Sequence, residues 1–142
     1  MKKNKVLILI VILFYSHVSA HPVDASIDIK GIRSRDGTLF IGWYNSSHGF
    51  TKPEKALYKR KMTVRELDNV VVSFENIPAG SYAISVFYDL NNNGQLDKNF
   101  LGIPKEPYGF SNNIRHQTRA ATFEECAFQL KSNHQFISVS LH

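Results

Sequence analysis

The sequence predicts an all-β fold: a single antiparallel β-sandwich of about seven strands with one long ordered loop. Three observations point to it. Short runs alternate apolar with polar side chains, as half-buried strands do. Clusters of Asn, Asp, Gly and Pro recur between those runs as turn signals. From Asp89 to about His116 the periodicity stops, yet that stretch keeps Phe100, Leu101, Ile103, Tyr108, Phe110 and Ile114. A segment so apolar is not disordered, and a long irregular segment in a compact domain is usually functional.

The strands follow in order. Ala25, Ile27 and Ile29 alternate with polar residues. Arg35-Asp36-Gly37 is a hairpin signal leading into residues 38–44, which are apolar on both faces and so belong to a central strand. Residues 45–53 form a loop, and residues 51–58 hold a helical turn with Pro53 near its start. Short strands follow at residues 62–64 and 69–74. Ile77-Pro78-Ala79-Gly80 turns the chain into a strand over residues 82–88, in which Ala83 shares the interior with some of its aromatic neighbours. After the long loop come strands at residues 122–130 and 135–141, with Asn133-His134 as their turn. Seven short strands so spaced fit an immunoglobulin-like or prealbumin-like sandwich.

At 142 residues there is room for one domain. Its first segment reads as something else. Lys2, Lys3 and Lys5 precede an apolar run at residues 6–15, and Val18-Ser19-Ala20 supplies the small residues of a cleavage site. Residues 1–20 are therefore expected to be a signal peptide, and residues 21–142 an exported domain, secreted or periplasmic in a bacterium. No later run is long enough to span a membrane. Losing the three lysines of the leader takes the formal charge from +5 to +2. With no basic block interleaved with aromatics, nucleic acid is excluded as the expected partner. The one cysteine, Cys126, rules out an internal disulfide, so the domain relies on its core. Cys126 alternates with Phe128 and Leu130 and is expected to be buried.

One motif carries chemistry. Residues 89–97 read Asp-Leu-Asn-Asn-Asn-Gly-Gln-Leu-Asp, with oxygen-bearing side chains at alternate positions and a glycine at the sixth. Counted as a calcium loop of the EF-hand type, the ligands are Asp89, Asn91, Asn93, the Gln95 carbonyl and Asp97. Leu96 points inward and anchors the loop. The twelfth position is Phe100 where such loops carry a bidentate Glu, so a later residue must complete the shell. Glu106 is the nearest acid downstream. The low charge implies weak calcium affinity, on the order of 10⁻⁴–10⁻³ M. The competing reading is a metal-free turn, because Asn, Asp and Gly bond to the local backbone in turns without any ion. Pro104 and Pro107 stiffen the chain around Glu106, Gly109 lets Phe110 return to the core, and Ser111-Asn112-Asn113 can cap nearby backbone groups.

Residues 80–97 together with Gly102-Ile103-Pro104-Lys105-Glu106-Pro107-Tyr108-Gly109-Phe110-Ser111-Asn112-Asn113 resemble a group of exported bacterial proteins classed as a domain of unknown function. Their hallmark is D-x-N-x-N-G-x-x-D followed by G-I-P-x-E-P-x-G-F-S-N-N. The resemblance runs from about Gly37 to the last residue. It departs from the group's G-P-P-S-F-E pattern near Thr122, where Arg119-Ala120-Ala121 stands in place of Gly-Pro-Pro. It implies export and a sandwich, and says nothing about reaction chemistry.

The expected function is thus an exported, non-enzymatic binding or accessory module with a calcium-ordered loop and an extracellular or envelope partner. One alternative is an enzyme acting on envelope or extracellular glycans, with Asp97 and Glu106 as acid and base and Tyr44, Phe50, Tyr108 and Phe110 stacking on sugar rings. Another is a structural or adhesive surface module. The histidines have no metal-ligand spacing, and no catalytic set is recognisable.

Overall fold

A computed structural model describes residues 21–142 apart from residues 34, 35, 66, 132 and 133. The expected leader at residues 1–20 lies outside the described residues, as do Arg35 and Asn133 of two expected turns.

The strands are β1 (Val23–Lys30), β2 (Gly37–Tyr44), β3 (Tyr58–Val64), β4 (Asn69–Ile77), β5 (Gly80–Asp89), β6 (Tyr108–Phe110), β7 (Phe128–Leu130) and β8 (Gln135–Ser140). A single helical turn, α1 (Phe123–Cys126), precedes β7. Two sheets face each other. One has the order β4-β1-β8, and the other runs β3-β2-β5-β6 with β7 also paired to β5. The all-β sandwich follows from the alternation: β1 sends Ala25, Ile27 and Ile29 inward, β2 sends Leu39, Ile41 and Trp43, and β5 sends Ile84, Val86 and Tyr88. Trp43 is fully buried and meets the rings of Phe74, Tyr82 and Phe128 at 5.4, 5.7 and 5.7 Å. Such tilted ring pairs join the two sheets through one aromatic centre.

β2 lies between β3 and β5, the central place its two apolar faces require. Its outer face, with that of β5, carries a second, smaller core. Ala83, Phe110, Ala121 and Cys126 are buried there, packed against Phe50, Tyr108, Ile114 and Phe123. The aromatic neighbours of Ala83 thus divide: Tyr82 and Tyr88 fill the main core, while Phe87 turns to the outer face and stacks on Phe40.

Two expectations change. Residues 122–130 do not form one strand. Thr122 and Glu125 cap each other reciprocally: Glu125 N donates to Thr122 Oγ1 at 3.4 Å, and Thr122 N donates to Glu125 Oε2 at 2.8 Å. This capping box closes α1 and leaves only three residues of strand after it. Cys126 is buried as expected, from a helical turn. Second, the two last strands, expected to be joined by a turn, do not pair with each other. β7 joins the larger sheet, whereas β8 crosses to the smaller one and runs parallel to β1, with Ile27 opposite Ile137. Every other strand pair is antiparallel.

Candidate functional site

The long loop begins where β5 ends. Asp89 sits opposite Thr38 of β2 and is buried. Its two carboxylate oxygens draw the following residues into a curl: Asn93 N donates to Oδ1 at 3.2 Å, and Gly94 N donates to Oδ2 at 2.7 Å. Gly94 has φ of 83°, the left-handed backbone that glycine adopts without steric cost. The asparagines repeat the device. Asn91 Oδ1 accepts from Asn93 N at 3.1 Å, and Asn93 Oδ1 accepts from Gln95 N at 2.9 Å. Their amide groups converge on Asp97, with Asn91 Nδ2 2.7 Å from Oδ2 and Asn93 Nδ2 2.9 Å from Oδ1. Thr38 Oγ1 donates to Asn92 Oδ1 at 2.6 Å and fastens the curl to β2. Leu96, the expected anchor, is half-buried.

Asp89, Asn91, Asn93 and Asp97 are therefore brought together, as their spacing required. Glu106 arrives from the other side. It is buried, and it accepts from two backbone groups at opposite ends of the curl: Leu90 N at 2.8 Å and Asp97 N at 3.0 Å. Lys105 N also donates to Asp97 O, and Tyr88 N to Pro107 O, each at 2.8 Å. Glu106 closes the loop like a clasp. A buried carboxylate needs compensation, and here charge-assisted backbone bonds supply it.

Beyond the clasp the chain makes a small hairpin with a bridge between Lys98 and Pro104. Asn99 organises its tip. Asn99 Oδ1 accepts from Leu101 N at 2.9 Å and from Ile103 N at 3.0 Å, and Asn99 N donates to Ile103 O at 2.9 Å. The apolar side chains of this tip do not plug the core. Phe100 is 95% exposed and Leu101 68%. The loop is held by polar bonds at its base, together with Tyr108 and Phe110 where it returns to the sheet.

The return segment is capped as its Ser-Asn-Asn sequence suggests. Ser111 Oγ donates to Cys126 O at 2.6 Å and accepts from Ile84 N at 2.9 Å. Asn112 Nδ2 donates to the carbonyls of Glu125 and Ala127, and Asn113 Oδ1 accepts from Ser140 N at 2.7 Å. Gly109 lies flat against the Ser140 carbonyl, where a side chain would collide.

Outside the loop, Glu125 gathers Arg119, in two hydrogen bonds of 2.9 and 2.7 Å, and His116 at 2.9 Å. The Arg119 bonds, then the Thr122 backbone bond, hold its carboxyl well below the usual carboxylate range. The signal for this cluster was the Thr-x-x-Glu spacing at residues 122–125. Burial, then Glu125, pushes the Cys126 thiol up to about 12, which leaves it protonated and unreactive. Ser26 Oγ lies 3.0 Å from His134 Nε2 and 3.2 Å from Ser73 Oγ, a pairing no sequence spacing announced. The aromatics proposed for sugar stacking meet each other: Phe50 packs on Tyr44 at 5.3 Å and on Phe110 at 5.7 Å. Among the described residues, no group of three or more His, Cys, Asp or Glu side chains is placed to hold a metal. No described helix is long and apolar enough to cross a membrane.

Fold and site together define a small β-sandwich with a carboxylate-clasped loop at one end of its larger sheet. The chain belongs to the family described as "Uncharacterized protein conserved in bacteria (DUF2141)", which matches residues 27–138. No curated protein matches it. Among solved structures it is similar to two of the pilus-presented adhesin Spy0125 (Cpa), at 11% and 12% identity with TM-scores of 0.38 and 0.35. Each match covers 87% of this chain but only 27% and 28% of the adhesin chains, so this chain spans under a third of their length.

Proposed function

We propose that this chain is an exported, non-enzymatic binding module that presents a rigid loop to a partner in the envelope or outside the cell. The observation that supports this reading is the tip at residues 99–103. Its backbone is tied by Asn99 while Phe100 and Leu101 stand in solvent. Exposed apolar clusters mark interaction sites, and a tip already ordered loses little conformational freedom on binding. Lys98 and Lys105 flank it and are exposed. The test uses the chain from His21 onward, incubated with isolated bacterial envelopes and sedimented. The unmodified protein is expected to co-sediment saturably. A Phe100→Ser, Leu101→Ser variant is expected to stay in solution while melting at the same temperature. Equal sedimentation of the two overturns the reading.

A second reading concerns calcium, and the gathering of Asp89, Asn91, Asn93 and Asp97 into one curl supports it. The donor set fits a hard cation: carboxylates of Asp89 and Asp97, amide oxygens of Asn91 and Asn93 once their amides turn over, and the Gln95 carbonyl. Glu106 would act from behind by fixing the backbone. A bound ion would supply charge neutralisation at the curl. Millimolar calcium is expected to raise the melting temperature, a chelator to reverse the gain, and Asp97→Ala to remove it. A melt indifferent to calcium leaves a metal-free turn.

A further inference from the structure

We propose that the outer face of the larger sheet is a binding site for flat amphipathic organic anions. The site is independent of the loop tip. The strand register builds it from two cross-strand ladders. One runs Lys61, Phe40, Phe87, Tyr108 across β3, β2, β5 and β6, and the next runs Lys59, Gly42, Ser85, Phe110. The first ladder is an aromatic ridge: Phe40 and Phe87 stack at 4.6 Å with planes 2° apart, and Lys61 Nζ sits 4.9 Å from the Phe40 ring centre. The second has two small residues in its middle and is a trough. Tyr44 lies along its floor, close enough to Gly42 that a methyl group there would meet the Tyr44 hydroxyl at 2.7 Å. Ser85 Oγ is 3.5 Å from that hydroxyl, so the floor ends in a pair of polar handles.

Ridge and trough lie in a groove of about 850 Å³, walled by residues 51–56 on one side and by the calcium-type loop at Gly94, Gln95 and Leu96 on the other. That size suits a small organic ligand, as does an apolar surface with a few convergent polar groups. The rim fixes the sign of the charge. Lys52, Lys59, Lys61 and Lys98 line the groove against one acid, Glu54. Among the described residues none of these lysines is in an ion pair. Arg60, also at the rim, is turned away toward the Ser73 carbonyl and the Phe74 ring. Four unneutralised ammonium groups around an aromatic floor complement a ligand with a planar apolar body and an acidic group.

Two dyes with one fluorophore and opposite charge test this. Dansylglycine is an anion and dansylcadaverine a cation. The chain from His21 onward is expected to bind dansylglycine saturably with a blue-shifted emission, and dansylcadaverine at least tenfold more weakly. Replacing Lys59→Gln and Lys61→Gln together is expected to weaken dansylglycine about tenfold with the melting temperature kept, since each exposed ion pair contributes modestly. Ser85→Phe, which fills the trough, is expected to abolish binding. Equal affinity for the two dyes, an unchanged affinity in the lysine variant, or no saturable binding of dansylglycine each overturns the proposal. The last result is also what a groove reserved for a polypeptide strand would give.

Discussion

Glu106 and Glu125 each tie a bend of the chain, and they do so with different partners. Glu125 is partly exposed and is held by the Arg119 guanidinium and the His116 ring, as well as by the backbone of its own helical turn. Glu106 is buried, and its recorded hydrogen bonds are to backbone N–H groups seven residues apart in sequence, Leu90 and Asp97. The difference teaches how a carboxylate can be used. An exposed one held by side chains at the surface shapes a local turn and is screened by water. A buried one held by backbone N–H groups fixes the two ends of a loop against each other.

The largest effect that would break this comparison is therefore at Glu106. Glu106→Ala leaves two part-buried N–H groups without their acceptor and is expected to destabilise the domain by about 2 kcal/mol. Glu106→Gln, which keeps one acceptor, is expected to cost about half of that. Urea denaturation followed by Trp43 fluorescence measures both. A loss no larger than that of an ordinary surface substitution would show that the clasp is ornamental.

Thr122→Ala is the matching change at the other bend. It removes the side-chain half of the capping box and is expected to cost about 1 kcal/mol in the same denaturation. A cost equal to that at Glu106 would erase the distinction between the two bends.

The smallest effect is electrostatic and sharpens the contrast. Arg119, then the Thr122 backbone, lowers the Glu125 carboxyl from its ordinary 4.5. A carboxyl whose folded value is depressed adds stability above its unfolded value, and loses it as the pH falls through the unfolded and then the folded value. Stability measured downward from pH 6 is expected to fall slightly below about pH 4.5 in the unmodified chain, and Glu125→Gln is expected to flatten part of that slope. Parallel curves for the two proteins would mean that the partners of Glu125 contribute nothing to stability.

Much of this architecture was legible in the residues. The alternation at Ala25, Ile27 and Ile29 and the double apolar face of residues 38–44 each announced its strand, because burial on one or both faces leaves a periodic trace. The curl at residues 89–97 was legible for a similar reason: its bonds are local, from side chains to backbone two to five residues on. The Thr122 capping box was local too. Its Thr-x-x-Glu spacing was present, and the apolar alternation of Cys126, Phe128 and Leu130 masked it.

What the sequence by itself determined is the all-β class, the strand faces and the presence of a polar curl after β5, since each depends on neighbours in the chain. The tertiary structure alone decided that β8 crosses to run parallel with β1, that Glu106 clasps the backbone at Leu90 and Asp97, and that Phe40 and Phe87 stack between Lys61 and Tyr108 in one groove. Those arrangements join residues far apart in sequence. Their energies come from register, burial and desolvation, which exist only once the sheets have packed.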